Sequence, residues 1–414
     1  MRLEHARFFA VSSAIRPMTN ANGTFGTRGA LILEVHTREG LVGYGEAYLE
    51  RGLEDVPSIV ESFGSRVWPE FCRVNPGDSS VWPTFLSEPK PPHGALRPLM
   101  AAASALDIAI WDIRGQVDGV PIWSLLTNGN AARRSICAYA SGIPYRDVSD
   151  QIREDRLEVD RLQEAGFQIF KMRIGRDAEL DCRRIESLAT SIGQGCSIAV
   201  DANRSLSSDS ARRVADVLVD VGGLWLEEPF QFDDRESLEE LRSKSSVTIA
   251  TGEAAVDPAE IDFIARNRLA EYLQPDPGAL GGLSGAWRVG SIGTREGLTV
   301  MPHVWGSGIA VACALHFVSA LPGPSDEGTA CEPVRPVLLE VESVGSTLLQ
   351  GVLTEPLALE PYTSNCGEIP CALTGAGLGV EIDQEFLAAH CVGSWEFRSL
   401  DNRNQPPKSG RQEV

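Results

Sequence analysis

The apolar positions of this chain follow two successive patterns. Residues 2–45 alternate between apolar and polar side chains, and the runs ALILEVHT and LVGYGEA, separated by Arg38-Glu39-Gly40, predict an antiparallel hairpin. A helical pattern follows, clearest in AAASALDIAIWDIRGQVDGVP, which closes with Gly119 and Pro121. Together these patterns predict an α+β unit over residues 1–128.

From about residue 134 onward, short apolar runs alternate with stretches of helical period such as DAELDCRRIESLATSIG and SDSARRVADVLVDVG. The candidate strands are SICAYAS, GFQIFKMRIG, CSIAVDAN, GGLWLEEP, VTIATGE, EYLQPD, LTVMPHV and PVLLEVE. Eight βα repeats predict an α/β fold, a TIM-type (β/α) barrel over residues 129–345. We expect a surface loop at 322–336, a return to the N-terminal unit over 346–400, and a disordered tail at 401–414.

Charge and cysteine content argue against several classes of protein. The formal net charge of -20 and the pI near 4.8 disfavour nucleic acid as a partner, and an anionic small substrate would need a local positive centre. The nine cysteines form no CxxC pair, which indicates reduced thiols and a cytoplasmic protein. The charged start predicts no secretory signal, and Asp107 and Asp112 within the apolar run 99–113 favour a buried or amphipathic helix over a membrane span.

Polar residues follow the candidate strands at regular intervals. They are Lys171 and Arg173 on the second strand, Asp201 and Asn203 on the third, and Glu227, Glu253, Asp276 and His303 on the next four. Positions 201, 227, 253, 276 and 303 are 26, 26, 23 and 27 residues apart, about one βα unit each. Because the active site of a TIM barrel lies at the C-terminal ends of its strands, these side chains are candidates for an active site.

Three of these residues are carboxylic acids expected to converge: Asp201, Glu227 and Glu253. Converging carboxylates repel one another in a partly dry pocket, and a hard divalent cation with oxygen ligands is the usual remedy. Mg²⁺ is the expected ion, since the pattern offers no neighbouring His or Cys ligand of the kind that zinc favours. Helix capping could explain any one of these acids, but it explains the ordered set poorly.

Several of these motifs resemble a known family. Lys171-Met172-Arg173, Asp201-Ala202-Asn203, Glu227-Glu228-Pro229, Gly252-Glu253, QPDPGALGG with Asp276 and PHVWGSG with His303 are similar to the mandelate racemase branch of the enolase superfamily, the mandelate racemase/muconate lactonizing enzyme family. SALDIAIWDIRGQVDGVP and GAGLGVEID resemble that family's capping domain, so the resemblance covers nearly the whole chain. It implies a barrel capped by an α+β domain built from the N-terminal region and the C-terminal segment.

The resemblance also implies a chemistry. Asp201, Glu227 and Glu253 would hold Mg²⁺, and Asp276 with His303 would form the acid/base dyad that removes a proton α to a carboxylate through an enediolate. A proton α to a carboxylate is so weakly acidic that an imidazole can remove it only when a cation binds the carboxylate. Asp276 would fix the tautomer of His303 and raise its basicity.

Further roles follow from the resemblance by position. Lys171 is the candidate base on the opposite face of the substrate, but Arg173 stands where many relatives carry a second lysine. Because a guanidinium is effectively always protonated, we expect Arg173 to act as an electrostatic clamp. Glu340 in PVLLEVE is our candidate for the eighth-strand glutamate that hydrogen-bonds the intermediate, with Glu332 as its rival and an exposed strand glutamate as the plain alternative.

The remaining candidates are substrate contacts. By analogy with the family, Ser141 and Asn203 would hold the substrate carboxylate and α-hydroxyl, unless they are helix caps. A loop over residues 16–28, made mobile by Gly23, Gly26 and Gly29, is expected to close over the barrel. The candidate contacts for substrate hydroxyls or a distal carboxylate are Arg16, Arg28 and His93.

The expected activity is dehydration of a sugar acid to a 2-keto-3-deoxy acid, with one dyad both removing the α-proton and protonating the departing β-oxygen. A sugar-acid lactone cycloisomerase is the alternative, since PHVWGSGIA also resembles the seventh-strand motif of such members, and a racemase or epimerase is another. A barrel that binds a ligand without turnover is the non-enzymatic alternative. The expected partner is a small sugar acid or its lactone, not nucleic acid or a membrane, and the resemblance implies a homo-oligomer, either a dimer or an octamer.

Overall fold

The computed structural model describes residues 1–73, 75, 93–130, 133–322, 335–361 and 367–399. Its strands are β1 (Leu3–Asn20), β2 (Gly23–Thr37), β3 (Val42–Ala47), β4 (Ser135–Ile143), β5 (Ile169–Arg173), β6 (Ser197–Asp201), β7 (Leu226–Glu227), β8 (Ile249–Thr251), β9 (Tyr272–Leu273), β10 (Thr299–Val300), β11 (Leu338–Glu342), β12 (Glu368–Pro370) and β13 (Cys391–Arg398). Its helices are α1 (Val56–Ser62), α2 (Trp68–Phe71), α3 (His93–Asp118), α4 (Ile122–Leu126), α5 (Gln151–Glu164), α6 (Ala178–Ser191), α7 (Ser208–Asp220), α8 (Arg235–Lys244), α9 (Pro258–Arg266), α10 (Gly282–Glu296), α11 (Gly308–Ala320), α12 (Leu348–Gly351) and α13 (Gln384–His390). A 3₁₀ turn (Gly52–Asp55) precedes α1, and a π-helical turn (Phe63–Val67) joins α1 to α2.

Two sheets organise the chain. An antiparallel sheet in the order β13-β1-β2-β3 forms the capping domain, and its β2–β3 hairpin is the one predicted around Arg38-Glu39-Gly40. The second sheet runs β10-β9-β8-β7-β6-β5-β4-β11 with parallel neighbours, so the first barrel strand lies beside the eighth. Each of the eight predicted runs overlaps one of these strands, which confirms the predicted barrel. Strand β12, which pairs antiparallel with β4, was not predicted.

A layer of large side chains fills the barrel interior beneath its C-terminal mouth. Tyr139, Trp225, Tyr272 and Met301 belong to one buried cluster. Tyr139, Trp225 and Met301 each lie two positions before a predicted site residue, Ser141, Glu227 and His303 respectively, and side chains two apart on a strand point to the same side. The predicted strand-end residues therefore stand on a packed floor.

Side-chain caps set where the barrel helices begin. Asp177 accepts hydrogen bonds from the backbone N–H groups of Glu179 and Leu180 at the start of α6, and Ser207 accepts one from Ser210 at the start of α7. Such caps fix the turns between strands and helices on the mouth side of the barrel.

Helix α3 lies between the capping sheet and the barrel. Strand β3 approaches it closely because Gly45 has no side chain: a Cβ there would lie 2.0 Å from the carbonyl oxygen of Ala105. On the other side, Oγ of Ser104 accepts hydrogen bonds from the N–H groups of Gly281 and Gly282, each at 2.9 Å. Helix α3 thereby fixes the capping sheet to the start of α10.

Residues 16–28 form a β-hairpin rather than the predicted mobile loop. Strands β1 and β2 continue through this region, and Thr19 exchanges two backbone hydrogen bonds of 2.9 Å with Tyr145 at the end of the first barrel strand. The glycines of this region indicated a mobile loop, but at least one of them is explained by close packing. A Cβ at Gly29 would lie 2.8 Å from Cδ2 of Leu53. The hairpin is paired on both strands and attached to the barrel.

Several predictions concern parts of the chain outside the described residues. These are most of the loop at 322–336, the tail at 401–414, Glu332 and the side chain of His93. Within the described ranges, no helix has the length and apolar character needed to cross a bilayer.

Candidate active site

The three carboxylates predicted to bind metal converge at the barrel mouth. Asp201 ends β6, Glu227 ends β7 and Glu253 follows β8 by two residues, and all three are buried. One carboxylate oxygen from each lies within 4.8 Å of the others. Such a set of hard oxygen donors fits a divalent cation, which would offset their mutual repulsion. No other group of three or more His, Cys, Asp or Glu side chains in the described residues has this geometry.

Two cations of β5 lie against the carboxylates. Nζ of Lys171 contacts Glu227 and lies 3.8 Å from Oδ2 of Asp201, while the guanidinium of Arg173 contacts Asp201. Lys171 is fully buried and does not line the cleft that opens at the mouth, whereas Arg173 does. The structure thus places Lys171 among carboxylates and only Arg173 at the cleft.

Glu340 on β11 belongs to the same cluster. Its Oε1 lies 2.8 Å from Nζ of Lys171, and its Oε2 accepts a hydrogen bond of 3.0 Å from the N–H of Val304. Burial would raise the pKa of Glu340, but the charges of Lys171, His303 and Arg173 outweigh it and hold the pKa well below its ordinary value. Glu340 is therefore an ionised interior carboxylate, which excludes the alternative of an exposed strand glutamate.

His303 and Asp276 form the predicted pair. Nδ1 of His303 lies 2.7 Å from Oδ2 of Asp276, whose Oδ1 accepts a hydrogen bond of 2.6 Å from the N–H of Gly278. Nε2 of His303 lies 3.2 Å from Oε2 of Glu253. With Nδ1–H held by Asp276, the other ring nitrogen faces the carboxylate cluster and the cleft.

The charges around His303 stabilise its protonated form. Burial would lower the pKa of His303, but Glu253, Glu340 and Asp276 together raise it to about 9. An imidazole in this setting gains from accepting a proton. Because a pKa near 9 leaves the ring mostly protonated at neutral pH, a cation on Glu253 would have to offset part of this negative charge before the ring could take a proton from a carbon acid.

Asn203 and Ser141 lie at different depths. Asn203 lines the cleft with a left-handed backbone (φ 45°), and its buried Oδ1 has no hydrogen-bond partner within the described part of the chain. Ser141 is fully buried, 3.4 Å from Nη2 of Arg173, and does not line the cleft. Neither is a helix cap, because Asp150 and Ser207 cap the helices that follow.

A cleft of about 720 Å³, open to solvent, lies between the barrel mouth and the capping domain. From the hairpin it receives Arg28, whose guanidinium carbon lies 4.1 Å from the ring centroid of Trp305 and whose Nε lies 3.3 Å from Oε2 of Glu342. Arg16 is 56% exposed and lies away from the cleft, with Nη2 2.5 Å from Oε1 of Glu154. The structure brings Arg28 to the cleft but not Arg16.

The segment after β3 adds side chains that sequence reasoning missed. The ring of Tyr48 packs edge-on against His303, with centroids 5.4 Å apart, and Oε1 of Glu50 forms an ion pair of 2.7 Å with Nη1 of Arg204. Both pairs join residues more than 150 positions apart, so no local motif could indicate them. Trp305 could have been identified from the sequence as a site residue, because it lies two residues after His303 in PHVWGSG.

Comparison with known proteins agrees with this architecture. The family model Enolase C-terminal domain-like matches residues 154–386, and Mandelate racemase / muconate lactonizing enzyme, N-terminal domain matches residues 4–127. The D-galactarolactone cycloisomerase of Agrobacterium fabrum is 28% identical over 385 residues, which cover 93% of this chain and 95% of that protein. The arabinonate dehydratase of Saccharolobus solfataricus is 28% identical over 292 residues, covering 70% and 76% of the two chains.

Solved structures agree in fold. A member of the enolase superfamily from Polaromonas sp. JS666 superposes with a TM-score of 0.81 at 25% identity, covering 95% of this chain and 98% of that one. Since one family model matches more than half of the chain and a second matches the capping region, the protein belongs to the mandelate racemase/muconate lactonizing enzyme family of the enolase superfamily.

Proposed function

We propose that this protein catalyses a Mg²⁺-dependent β-elimination on a sugar acid, dehydrating it to a 2-keto-3-deoxy acid. The observation that carries the proposal is that the carboxylate triad of Asp201, Glu227 and Glu253 adjoins the His303–Asp276 pair, since Glu253 contacts His303 and both line one cleft. A metal triad and an acid/base dyad aimed at one place suit removal of a proton next to a carboxylate. A protein that only binds a ligand has no need of both.

Asp201, Glu227 and Glu253 would hold the Mg²⁺. Bound there, the ion supplies Lewis-acid stabilisation of the negative charge that develops on the substrate carboxylate. Arg173, which lines the cleft, adds a fixed positive charge to the same region. Asn203, whose Oδ1 has no hydrogen-bond partner among the described residues, would accept a hydrogen bond from the α-hydroxyl of the substrate.

His303 would act first as base and then as acid. It takes the α-proton while Asp276 holds its other ring nitrogen, and it returns that proton to the departing β-hydroxyl. The α C–H and β C–O bonds break, an enol forms, water leaves, and the enol rearranges to the keto acid. Lys171 is buried among Glu227, Glu340 and Asp201, which favours one base over the two that a racemase needs.

A lactone cycloisomerase is the second candidate. The relative from Agrobacterium fabrum that carries this name aligns along 93% of the chain, more than the dehydratase from Saccharolobus solfataricus does. In this reaction the same proton would leave, but the departing β-oxygen would belong to the lactone ring. The product would then be an isomer of the substrate.

The mass of the product separates the two candidates. We would incubate the purified protein and Mg²⁺ with a panel of aldonic acids, aldaric acids and their lactones, and analyse the mixtures by mass spectrometry. Dehydration removes the mass of one water from an open-chain acid, whereas cycloisomerisation consumes a lactone without a change in mass. If no compound of the panel were consumed, and none exchanged its α-proton in D₂O, the enzymatic proposal would fail in favour of a ligand-binding barrel.

A further inference from the structure

Two side chains inside the barrel donate hydrogen bonds to one oxygen of Glu227. Nε1 of Trp225 lies 2.9 Å from its Oε2, and Nε2 of Gln274 lies 2.8 Å from the same atom. All three residues are fully buried. The other oxygen, Oε1, faces the carboxylate cluster, where it contacts Lys171.

The strand geometry explains why these residues meet. Trp225 precedes Glu227 by two positions, so both side chains enter the barrel from one strand. Gln274 directly follows β9, the second strand along from β7, and reaches the same point from there. The indole cannot turn away, because its ring packs against Tyr139 and Tyr272 with centroids 5.2 and 5.5 Å away.

Packing alone does not account for this arrangement. A buried indole N–H needs an acceptor, and a neutral carbonyl would satisfy it at a lower desolvation cost than a carboxylate. The side-chain amide of Gln274, from another strand, likewise donates to the Glu227 carboxylate rather than to a neutral acceptor. Two donors on one carboxylate oxygen fix the rotation of the Glu227 side chain and leave Oε1, which Lys171 contacts, as the oxygen that can bind a cation.

We infer that Trp225 and Gln274 are positioning residues that hold Glu227 by Oε2, so that it presents Oε1 alone to a divalent cation and favours Mg²⁺ over Ca²⁺. The inference rests on the metal site proposed above. Mg²⁺ requires compact, nearly octahedral coordination, whereas the larger Ca²⁺ accepts bidentate carboxylates and loose geometry. Freeing Glu227 to rotate would therefore weaken Mg²⁺ more than Ca²⁺.

The test uses two variants that remove one donor each: Gln274→Met, which nearly keeps the shape of the side chain, and Trp225→Phe, which keeps an aromatic ring but is smaller. Isothermal titration of the metal-free protein with MgCl₂ and with CaCl₂ gives the two dissociation constants. We expect Mg²⁺ affinity to fall about 10- to 100-fold in each variant, the usual effect of removing an outer-shell partner of a ligand, and Ca²⁺ affinity to fall less. Gln274→Met leaves the packed rings of Tyr139, Trp225 and Tyr272 unchanged, so it tests the inference even if Trp225→Phe does not fold.

Trp287→Phe is the matched control. This tryptophan lies on α10 with its ring against Phe317, 6.5 Å between centroids, and its loss is expected to leave both affinities unchanged. Mg²⁺ affinity within about twofold of the wild type in both donor variants would overturn the inference, and so would an equal loss for both ions, which is what loosened packing produces. A wild-type protein that binds no Mg²⁺ would instead overturn the metal site itself.

Discussion

Arg28 and Arg16 lie on the same hairpin, yet only Arg28 reaches the cleft. Its guanidinium lies over the ring of Trp305, its Nε contacts Glu342, and it lines the cleft without belonging to the His303–Asp276 pair. We predict that Arg28→Met raises KM about tenfold with little change in kcat, because one charged hydrogen bond to the substrate contributes about 1.4 kcal/mol. Steady-state kinetics on the substrate found in the panel measures both constants.

Arg16→Met provides the control from the same hairpin. Its ion pair with Glu154 is largely exposed and contributes little, so we expect KM to stay within about twofold. An unchanged KM in Arg28→Met would contradict a contact between Arg28 and the substrate. An equal rise in both variants would assign the effect to the hairpin as a whole.

At the scale of single residues, the sequence predicts the location of those site residues whose position follows from the spacing of the strands. Asp201, Glu227 and Glu253 end or follow consecutive strands, so their spacing alone indicates that they converge. Tyr48 and Arg204 could not be found in this way. Their places depend on how the capping domain packs on the barrel, which no local spacing encodes.

At the scale of elements, Glu46 connects the end of β3 to the start of α11. Its carboxylate accepts hydrogen bonds from the N–H and Oγ of Ser307 and from the N–H of Ala310, at 2.5–3.2 Å. Gly306 makes room, since a Cβ there would lie 2.6 Å from Oε1 of Glu46. A glutamate of the capping domain thus caps the helix that follows His303.

We predict that Glu46→Ala lowers the free energy of unfolding by about 2–4 kcal/mol, because it leaves buried donors at a helix N-terminus without an acceptor. Urea unfolding followed by circular dichroism measures the change. Glu54→Ala, an exposed glutamate of the same domain, should change stability by no more than about 0.5 kcal/mol. A loss in Glu46→Ala as small as in this control would contradict the role of the cap.

Elements of the barrel were predictable because strands of a parallel sheet are buried on both faces and form continuous apolar runs. The hairpin at 16–28 was not, since its pairing depends on a register between β1 and β2 that shifts between Ala14 and Met18. Glycines within it indicated a loop, although the position of Gly29 is explained by close contact with Leu53.

At the scale of the whole molecule, His316 joins three segments. It lies on α11, accepts a hydrogen bond of 3.4 Å at Nδ1 from the N–H of Trp123 on α4, and donates one of 3.0 Å from Nε2 to the carbonyl of Leu378. These partners require the neutral ring. Burial lowers the pKa of His316 from 6.5 to about 4.

The lowered pKa of His316 makes stability depend on pH. The unfolded chain takes up a proton below about pH 6.5 while the folded chain does not until about pH 4, so the contribution of the neutral ring is full above 6.5 and is lost as pH falls through this window. Between about pH 7 and pH 5 the wild type should lose about 2 kcal/mol relative to His316→Gln. Burial also raises the pKa of Asp107, to about 7. Because both proteins contain Asp107, the difference in stability between them cancels the titration of this and other shared groups.

Urea unfolding of both proteins at the two pH values measures this difference. A stability gap between them that does not change with pH would show that His316 does not titrate as its burial predicts. The domain limits at residues 128 and 345 and the homo-oligomer stay predictions, which limited proteolysis and light scattering would test.

The central claim is that His303 removes the α-proton of a Mg²⁺-bound sugar acid, and hydrogen exchange tests it most directly. The substrate would be incubated in D₂O with wild-type protein or His303→Asn, with Mg²⁺ or with EDTA, and the α-position followed by proton NMR. We predict exchange or turnover only for the wild type with Mg²⁺, while His303→Asn still binds Mg²⁺ in a calorimetric titration. Undiminished α-proton loss in His303→Asn, or in the presence of EDTA, would contradict the account.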